Sequence, residues 1–298
     1  MSRSGRRGWL KGLLIFAVVA LIGGTAFNYL YLADLRPDSL VEDTPAAREA
    51  GAKRLEALAA GHGLDAWLGY RVMDVTMEDV WYGDMIKRFV MHWEESPQAL
   101  HGHFIRGAWT GQLELLSGPD KGDRWGIQDW KTWTAEPGEE PVFEQDATVE
   151  FVVPTTHYFL ELPLRMRSAT VALDAGQGVW EGKTYDLLFT SWDTTQPVPG
   201  VDQYVLWIDP GTGLLARADF TVRDQGGAVV GSARYGDYAD FGGVKVAKEI
   251  AIFALMPGGM EMPVHTFVTE KIEWDTVPPD DLRPDPSLPN EGESKPGS

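Results

Sequence analysis

The chain has 298 residues, 44% hydrophobic and 23% charged, enough for one large or two small domains. Its 44 acidic residues against 26 basic ones give a formal charge of −18, which excludes the basic, phosphate-neutralising surface that nucleic acid requires. Cysteine is absent, which excludes disulfides, thiolate metal sites, cysteine nucleophiles and a lipidated cysteine.

The chain begins with Arg3, Arg6, Arg7 and Lys11, followed by an uncharged run over 12–33. As a helix that run would be about 33 Å long, enough to cross a hydrocarbon core of about 30 Å. Residues 1–11 then read as a cytoplasmic basic stub and 12–33 as a transmembrane anchor, with Phe27, Tyr29 and Tyr31 at the far interface. The positive-inside rule sends the rest of the chain across the membrane. The same residues also fit a cleaved signal peptide, with an apolar core at 13–22 and Gly24-Thr25-Ala26 as the cleavage site, which would leave a soluble exported domain. Without the four basic residues the remainder holds 22 basic against 44 acidic side chains. Residues 34–44, with Asp34, Asp38, Glu42 and Asp43, read as an acidic spacer that anionic headgroups repel.

Thr44-Pro45 is an N-cap followed by proline at the first helical position, and Ala47, Gly51, Leu55, Leu58 and Ala59 recur at helical spacing, so a helix is expected over 45–60. His62-Gly63-Leu64-Asp65-Ala66-Trp67 reads as a short helical turn that buries Leu64 and Trp67. The period then changes to two. Phe89, Met91 and Trp93 alternate with Val90, His92 and Glu94, and His101, His103 and Ile105 alternate with Phe104 and Arg106, which predicts two strands. Further strands are expected over 148–153, 169–173, 184–190, 203–209, 217–223, 229–235, 244–253 and 265–274. Turn signals at Asp209-Pro210-Gly211, Gln225-Gly226-Gly227 and Phe241-Gly242-Gly243 make the pattern an antiparallel meander. In 203–209, Tyr204, Leu206 and Ile208 share one face and Val205 and Trp207 the other, so both faces are apolar. The tail 275–298 holds six prolines and no aromatic residue, a composition expected to be disordered. The class is mainly β (α+β): a strongly curved antiparallel half-barrel of about ten strands packed on one N-terminal helix, preceded by one transmembrane helix.

Several stretches resemble a known family. They are Tyr158-Phe159-Leu160-Glu161-Leu162-Pro163-Leu164, Glu181-Gly182-Lys183-Thr184-Tyr185-Asp186-Leu187, and Asp202-Gln203-Tyr204-Val205-Leu206-Trp207-Ile208-Asp209-Pro210-Gly211-Thr212-Gly213-Leu214. With Tyr235-Gly236-Asp237-Tyr238 and His62 to Trp67, the pattern over residues 46–274 is similar to the LolA/LolB-like superfamily of bacterial lipoprotein carriers, and especially to its uncharacterised exported relatives. The resemblance implies a bent, incomplete antiparallel barrel closed by helices around an apolar cavity for acyl chains. It implies a LolA-like exported domain over 45–274, a bacterial inner-membrane location with the domain in the periplasm, and an acyl chain or lipoprotein as partner. The anchor and an insertion-like stretch at about 110–145 depart from the carriers.

Trp109, Phe151, Phe159, Trp180, Phe189, Trp192 and Trp207 are spread over several elements, as cavity-lining residues would be, and are the candidate ligand-binding residues. Each has a plain core role as its alternative. His101 and His103 share a strand face, with His92 a candidate for the neighbouring strand; without a recognisable third ligand the pattern assigns no metal. Asp186 and Asp193 are the candidate carboxylate pair of a hydrolase, and Ser168, Ser191 and Ser232 have no visible base. No catalytic residue and no cofactor is assigned. The expected function is a membrane-anchored, exported domain that binds an acyl chain or other apolar ligand, as a carrier or sensor. The alternatives are a non-catalytic scaffold that contacts an envelope protein and, third, a hydrolase.

Overall fold

The structure, a computed structural model, describes residues 31–256 and 259–288. The predicted stub and the predicted anchor up to residue 30 lie outside the described residues, and no described helix is long and apolar enough to cross a membrane.

The first helix forms where the sequence predicts it. In α1 (Pro45–Gly61) the Thr44 hydroxyl accepts from the Ala47 N–H at 3.2 Å, and Gly51, Leu55, Leu58 and Ala59 make the buried stripe. Gly51 is required by close approach, since a Cβ there would stand 1.9 Å from the Ala172 carbonyl oxygen. Helix α2 (Leu64–Gly69) follows and buries Trp67. His62, between them, is 1% exposed; its Nε2 accepts from the Leu215 N–H at 3.1 Å and its Nδ1 donates to the Lys245 carbonyl at 3.1 Å. Burial lowers its pKa to about 4, so it is neutral at pH 7.

Thirteen strands make one antiparallel sheet: β1 (Val72–Trp81), β2 (Gln98–Ile105), β3 (Gly111–Leu115), β4 (Arg124–Gln128), β5 (Lys131–Ala135), β6 (Val142–Phe143), β7 (Val171–Trp180), β8 (Lys183–Ser191), β9 (Tyr204–Ile208), β10 (Leu215–Thr221), β11 (Val230–Phe241), β12 (Val244–Met256) and β13 (Met260–Trp274). Their order is β6-β5-β4-β3-β2-β1-β13-β12-β11-β10-β9-β8-β7. Two sequential meanders therefore meet at β1 and β13, which pair from Met73↔Trp274 to Trp81↔His265. This arrangement puts consecutive strands β6 and β7 at opposite edges. The chain between them must cross the whole sheet, and it does so as helix α4 (Ala147–Arg165). Laid flat, twelve inter-strand spacings would span about 58 Å. Nineteen helical residues and their short linkers reach about 50 Å. The crossing helix and a strongly bent sheet are therefore one solution, with α4 on the concave side against β3, β4, β5 and β12.

Strand β9 separates the two faces. Tyr204, Leu206 and Ile208 belong to the large core under α1 and α4. Val205 belongs to a smaller convex cluster with Val171, Leu173, Leu187 and Phe189. What covers the second cluster is the segment expected to be an acidic spacer. Leu35 and Leu40 pack on it, the Leu35 N–H donates to Gln203 Oε1 at 3.0 Å, and the Ser39 hydroxyl donates to the Ala175 carbonyl at 2.6 Å. Arg223 Nη2 donates to the Ala33 carbonyl at 2.6 Å. Residues 33–44 are thus a docked strap.

Other expectations are corrected. Among the described residues the sheet has 13 strands where about ten were expected: β1, and β3 to β6 in the insertion-like stretch at 110–145, were not predicted, while two of the expected strands are not strands. The strand expected around Phe89–Trp93 is instead helix α3 (Asp84–Phe89) and a loop. The strand expected over 148–153 is the start of α4, so the chain has two long described helices. Part of the tail is ordered: Leu282 is 3% exposed, and the buried Gln128 side chain donates to the Asp285 carbonyl at 2.7 Å. Residues 289–298 lie outside the described residues.

Candidate functional site on the concave face

Helix α4 is built from residues with high strand propensity (Thr148, Val149, Val152, Val153), yet it is capped and patterned as a helix. Asp146 Oδ1 accepts from the N–H groups of Thr148 and Val149 at 2.7 and 3.1 Å. Val149, Val152, Val153, Thr156, Leu160 and Leu164 then lie at helical spacing and are buried. Pro154 and Pro163 each remove one backbone donor from the helix ladder. The Phe159 carbonyl, which Pro163 leaves without its helical partner, accepts from Tyr235 Oη at 3.4 Å.

An aromatic seam crosses this helix. Trp130 meets Trp109 at 5.1 Å between ring centroids, Trp109 stacks on Tyr158 at 5.6 Å, and Tyr158 meets Tyr204 at 6.3 Å. Tyr204 continues to Phe220 at 5.9 Å and Phe220 to Phe159 at 5.2 Å, while Trp192 stands edge-on to Tyr204 at 6.0 Å. Trp109, Trp130, Tyr158 and Trp192 are half-buried and form a rim; Phe159, Tyr204 and Phe220 lie beneath it, buried. Burial raises the pKa of Tyr158 and Tyr204, so both phenols are neutral.

Two carboxylates are sealed into this apolar interior, and tryptophan indoles donate to each. Glu161, wholly buried, accepts from Trp67 Nε1 at 2.9 Å, the Gly107 N–H at 3.1 Å and Arg165 Nε at 2.9 Å, and its Oε2 stands 3.0 Å from His157 Nε2. Burial alone would raise its pKa, but His157, Arg165 and Trp67 outweigh that and hold it at about 2. Arg165 caps the network by donating to the Ala108 carbonyl at 2.7 Å while lying 4.6 Å over the Trp109 ring. Asp79, 2% exposed, accepts from Trp81 Nε1 and Trp93 Nε1, both at 2.7 Å, and stands 2.6 Å from His265 Nδ1.

The sheet divides the seven predicted lining residues. Trp109, Phe151, Phe159 and Trp192 are on the concave side, in or against the core under α4. Phe189 and Trp207 are in the convex cluster, and Trp180 packs with Arg217 and Arg234 on that same outer face. The hollow expected on the concave face is filled by the side chains of α4. Sequence reading missed Tyr158, Tyr204, Phe220 and Trp130 as seam members; the Asp146 cap and the 149/152/153/156/160/164 spacing were the signal that α4 is a helix.

The predicted histidine trio is also split. His92 lies in the loop after α3, on the concave side, 5.6 Å edge-on from Trp81, whereas His101 and His103 face outward from β2. Asp186 and Asp193 do not form a carboxylate pair. Asp186 Oδ1 accepts from Gln177 Nε2 at 3.0 Å within the β7–β8 pair, whereas Asp193 lies past the end of β8 and its Oδ1 accepts from the Thr170 hydroxyl at 3.4 Å. Ser191 donates to the Asp202 carbonyl at 2.9 Å and has no base in contact with it.

An open, bent antiparallel sheet with helices laid across its concave face defines the LolA-like class of folds, and comparison with known proteins agrees. No protein-family model matches the chain, and no curated protein matches it. Among solved structures it is similar to a putative outer membrane lipoprotein-sorting protein domain from Vibrio parahaemolyticus, with a TM-score of 0.52 and 13% identity over 79% of this chain and 97% of that one. It is also similar to a LolA superfamily protein from Nitrosomonas europaea (TM-score 0.50, 10% identity, 78% and 96% covered). A DUF1329 family protein from Desulfovibrio piger gives a TM-score of 0.50 at 10% identity, with 81% and 98% covered. At these identities the likeness is one of fold.

Proposed function

We propose that this chain binds an acyl chain or comparable apolar ligand on the concave face of its sheet, without chemistry on the ligand, as a lipid or lipoprotein carrier or sensor of the bacterial cell envelope. The observation that carries this reading is the cover itself: an apolar concave face closed by a helix that two prolines interrupt, beneath a half-buried aromatic rim. An acyl chain that buries about 400 Å² gains about 10 kcal/mol, and it would take the place of the side chains that α4 now inserts. Displacement of the apolar first turns of α4, with Val149, Val152 and Val153, exchanges one apolar filling for another while the Glu161 network holds the far end of the helix, and Trp109, Tyr158 and Trp192 flank the path. Export and the membrane anchor over 12–33 rest on the basic flank and the uncharged run. Ala33 is non-helical and docked on the domain, its N–H donating to the Gly227 carbonyl at 2.8 Å, so an anchor would have to end before it and would hold the corner around Gly227 near the bilayer.

The filled interior favours a second reading, a non-catalytic interaction domain that contacts an envelope protein through its acidic surface or its tail. Native mass spectrometry and solvent extraction of the purified full chain, with uptake of a fluorescent fatty acid, separate the two. The carrier reading expects one lipid per chain and saturable uptake, weakened by Trp109→Ala and Trp192→Ala. Absence of both signals, together with a protein captured in a pull-down and lost on deleting 289–298, would replace it with the interaction domain.

A further inference from the structure

The register of β1 against β2 assembles a group on the convex face that the sequence does not show. Asp74 lies directly opposite His103, and His101 is two residues along on the same face. Asp74 Oδ1 is 2.7 Å from His101 Nε2, and Oδ2 is 3.3 Å from His103 Nε2. All three donor atoms lie within 4.8 Å of one another. The two imidazole rings are 4.4 Å apart between centroids. The Thr276 hydroxyl donates to Asp74 Oδ2 at 2.6 Å and orients the carboxylate, as outer partners of metal ligands do.

We propose that Asp74, His101 and His103 form a three-ligand site for a borderline divalent cation of the Zn²⁺ class, with a fourth position open to solvent. Two imidazoles and one carboxylate are the donor set such ions select, whereas Mg²⁺ and Ca²⁺ prefer oxygen alone. The geometry is near what a tetrahedral ion needs. Ligand bonds of about 2.0–2.1 Å put donor atoms about 3.3 Å apart, so no pair has to close by more than about 1.5 Å, within reach of side-chain rotation. A purely structural role fits the group less well. His103 stands 3.3 Å from the carboxylate, longer than a charge-assisted hydrogen bond of about 2.7–2.9 Å, and one imidazole would satisfy Asp74. Access is open, because the His101 side chain is 29% exposed. Glu114, the cross-strand partner of His101 on β3, adds negative charge on the same face. Through Thr276 the ion would clasp the segment after β13 to β1 and β2, so that its binding stabilises the docked tail.

The test is isothermal titration of the full chain with Zn²⁺, with Mg²⁺ and Ca²⁺ as controls and Co²⁺ absorption as a spectroscopic readout of tetrahedral nitrogen–oxygen ligation. Saturable one-to-one Zn²⁺ binding is expected, at least tenfold weaker in His101→Ala and in His103→Ala and weaker in Asp74→Asn, with no response to the controls. The paired variant His101→Gln/His103→Gln keeps hydrogen bonding to Asp74 and so keeps the fold, which circular dichroism checks. The proposal is overturned if wild type shows no one-to-one phase below about 100 μM, or if the folded paired variant binds Zn²⁺ as tightly as wild type.

Discussion

The two faces of the bent sheet treat buried charge in opposite ways. On the concave face Glu161 has every near neighbour committed: Trp67, Gly107, His157 and Arg165 close around it, and no part of it meets water. On the convex face Asp74 is bound just as closely, by Thr276, His101 and His103, but its partners reach solvent. A carboxylate of the first kind locks a helix to its sheet. A carboxylate of the second kind remains addressable from outside. The difference follows from what covers each face: α4 and its aromatic seam seal the concave side, while the strap 33–44 covers only the β7–β9 part of the convex side.

The largest effect should come from opening the sealed network. Glu161→Ala leaves Arg165 buried without its partner and is expected to cost about 4 kcal/mol in chemical denaturation. Glu161→Leu combined with Arg165→Met should recover most of that loss; a cost below about 1 kcal/mol for the single change would show that the network does not hold α4.

Acid should act on the same interior. His62 has a folded pKa of about 4, below its ordinary value of 6.5, so the unfolded chain takes up a proton that the folded chain refuses. Its contribution is fully present above about pH 6.5 and is lost as pH falls toward 4, by about 3 kcal/mol in all. His157, also lowered to about 4 by burial, acts in the same direction. Unfolding curves at pH 7 and pH 4.5 measure the sum, and His62→Gln should flatten the slope.

The smallest expected effect compares the faces side by side. Leu206→Ala, on the concave side of β9 with 0% exposure, should cost about 3 kcal/mol. Leu35→Ala, on the half-buried strap over the other side of the same strand, should cost about 1 kcal/mol. Equal losses would mean that the strap is as much part of the core as the sheet.

Much of this architecture was legible. Helix α1 was readable from Thr44, Pro45 and the 51/55/58/59 stripe, and β9 from alternation alone, including the fact that both of its faces are covered. Helix α4 was misread because Thr148, Val149, Val152 and Val153 favour strands locally, and the burial that makes them helical comes from β3, β4, β5 and β12. The candidate site was half legible: Trp109, Phe159 and Trp192 were singled out with Phe189 and Trp207, which alternation sends to the opposite face, and with Trp180, which the bulge in β7 sends there.

By itself the amino-acid sequence determined what neighbouring residues can decide: caps, turns, strand periods, the acidic balance and the antiparallel meander. Only the tertiary structure decided which face each strand presents and what lies across from it. Asp74 meets His101 over 27 residues of separation and Thr276 over 202. That pairing depends on strand register, which is set by the packing of the whole sheet, since a slip of one residue would turn every side chain of a strand to the other face.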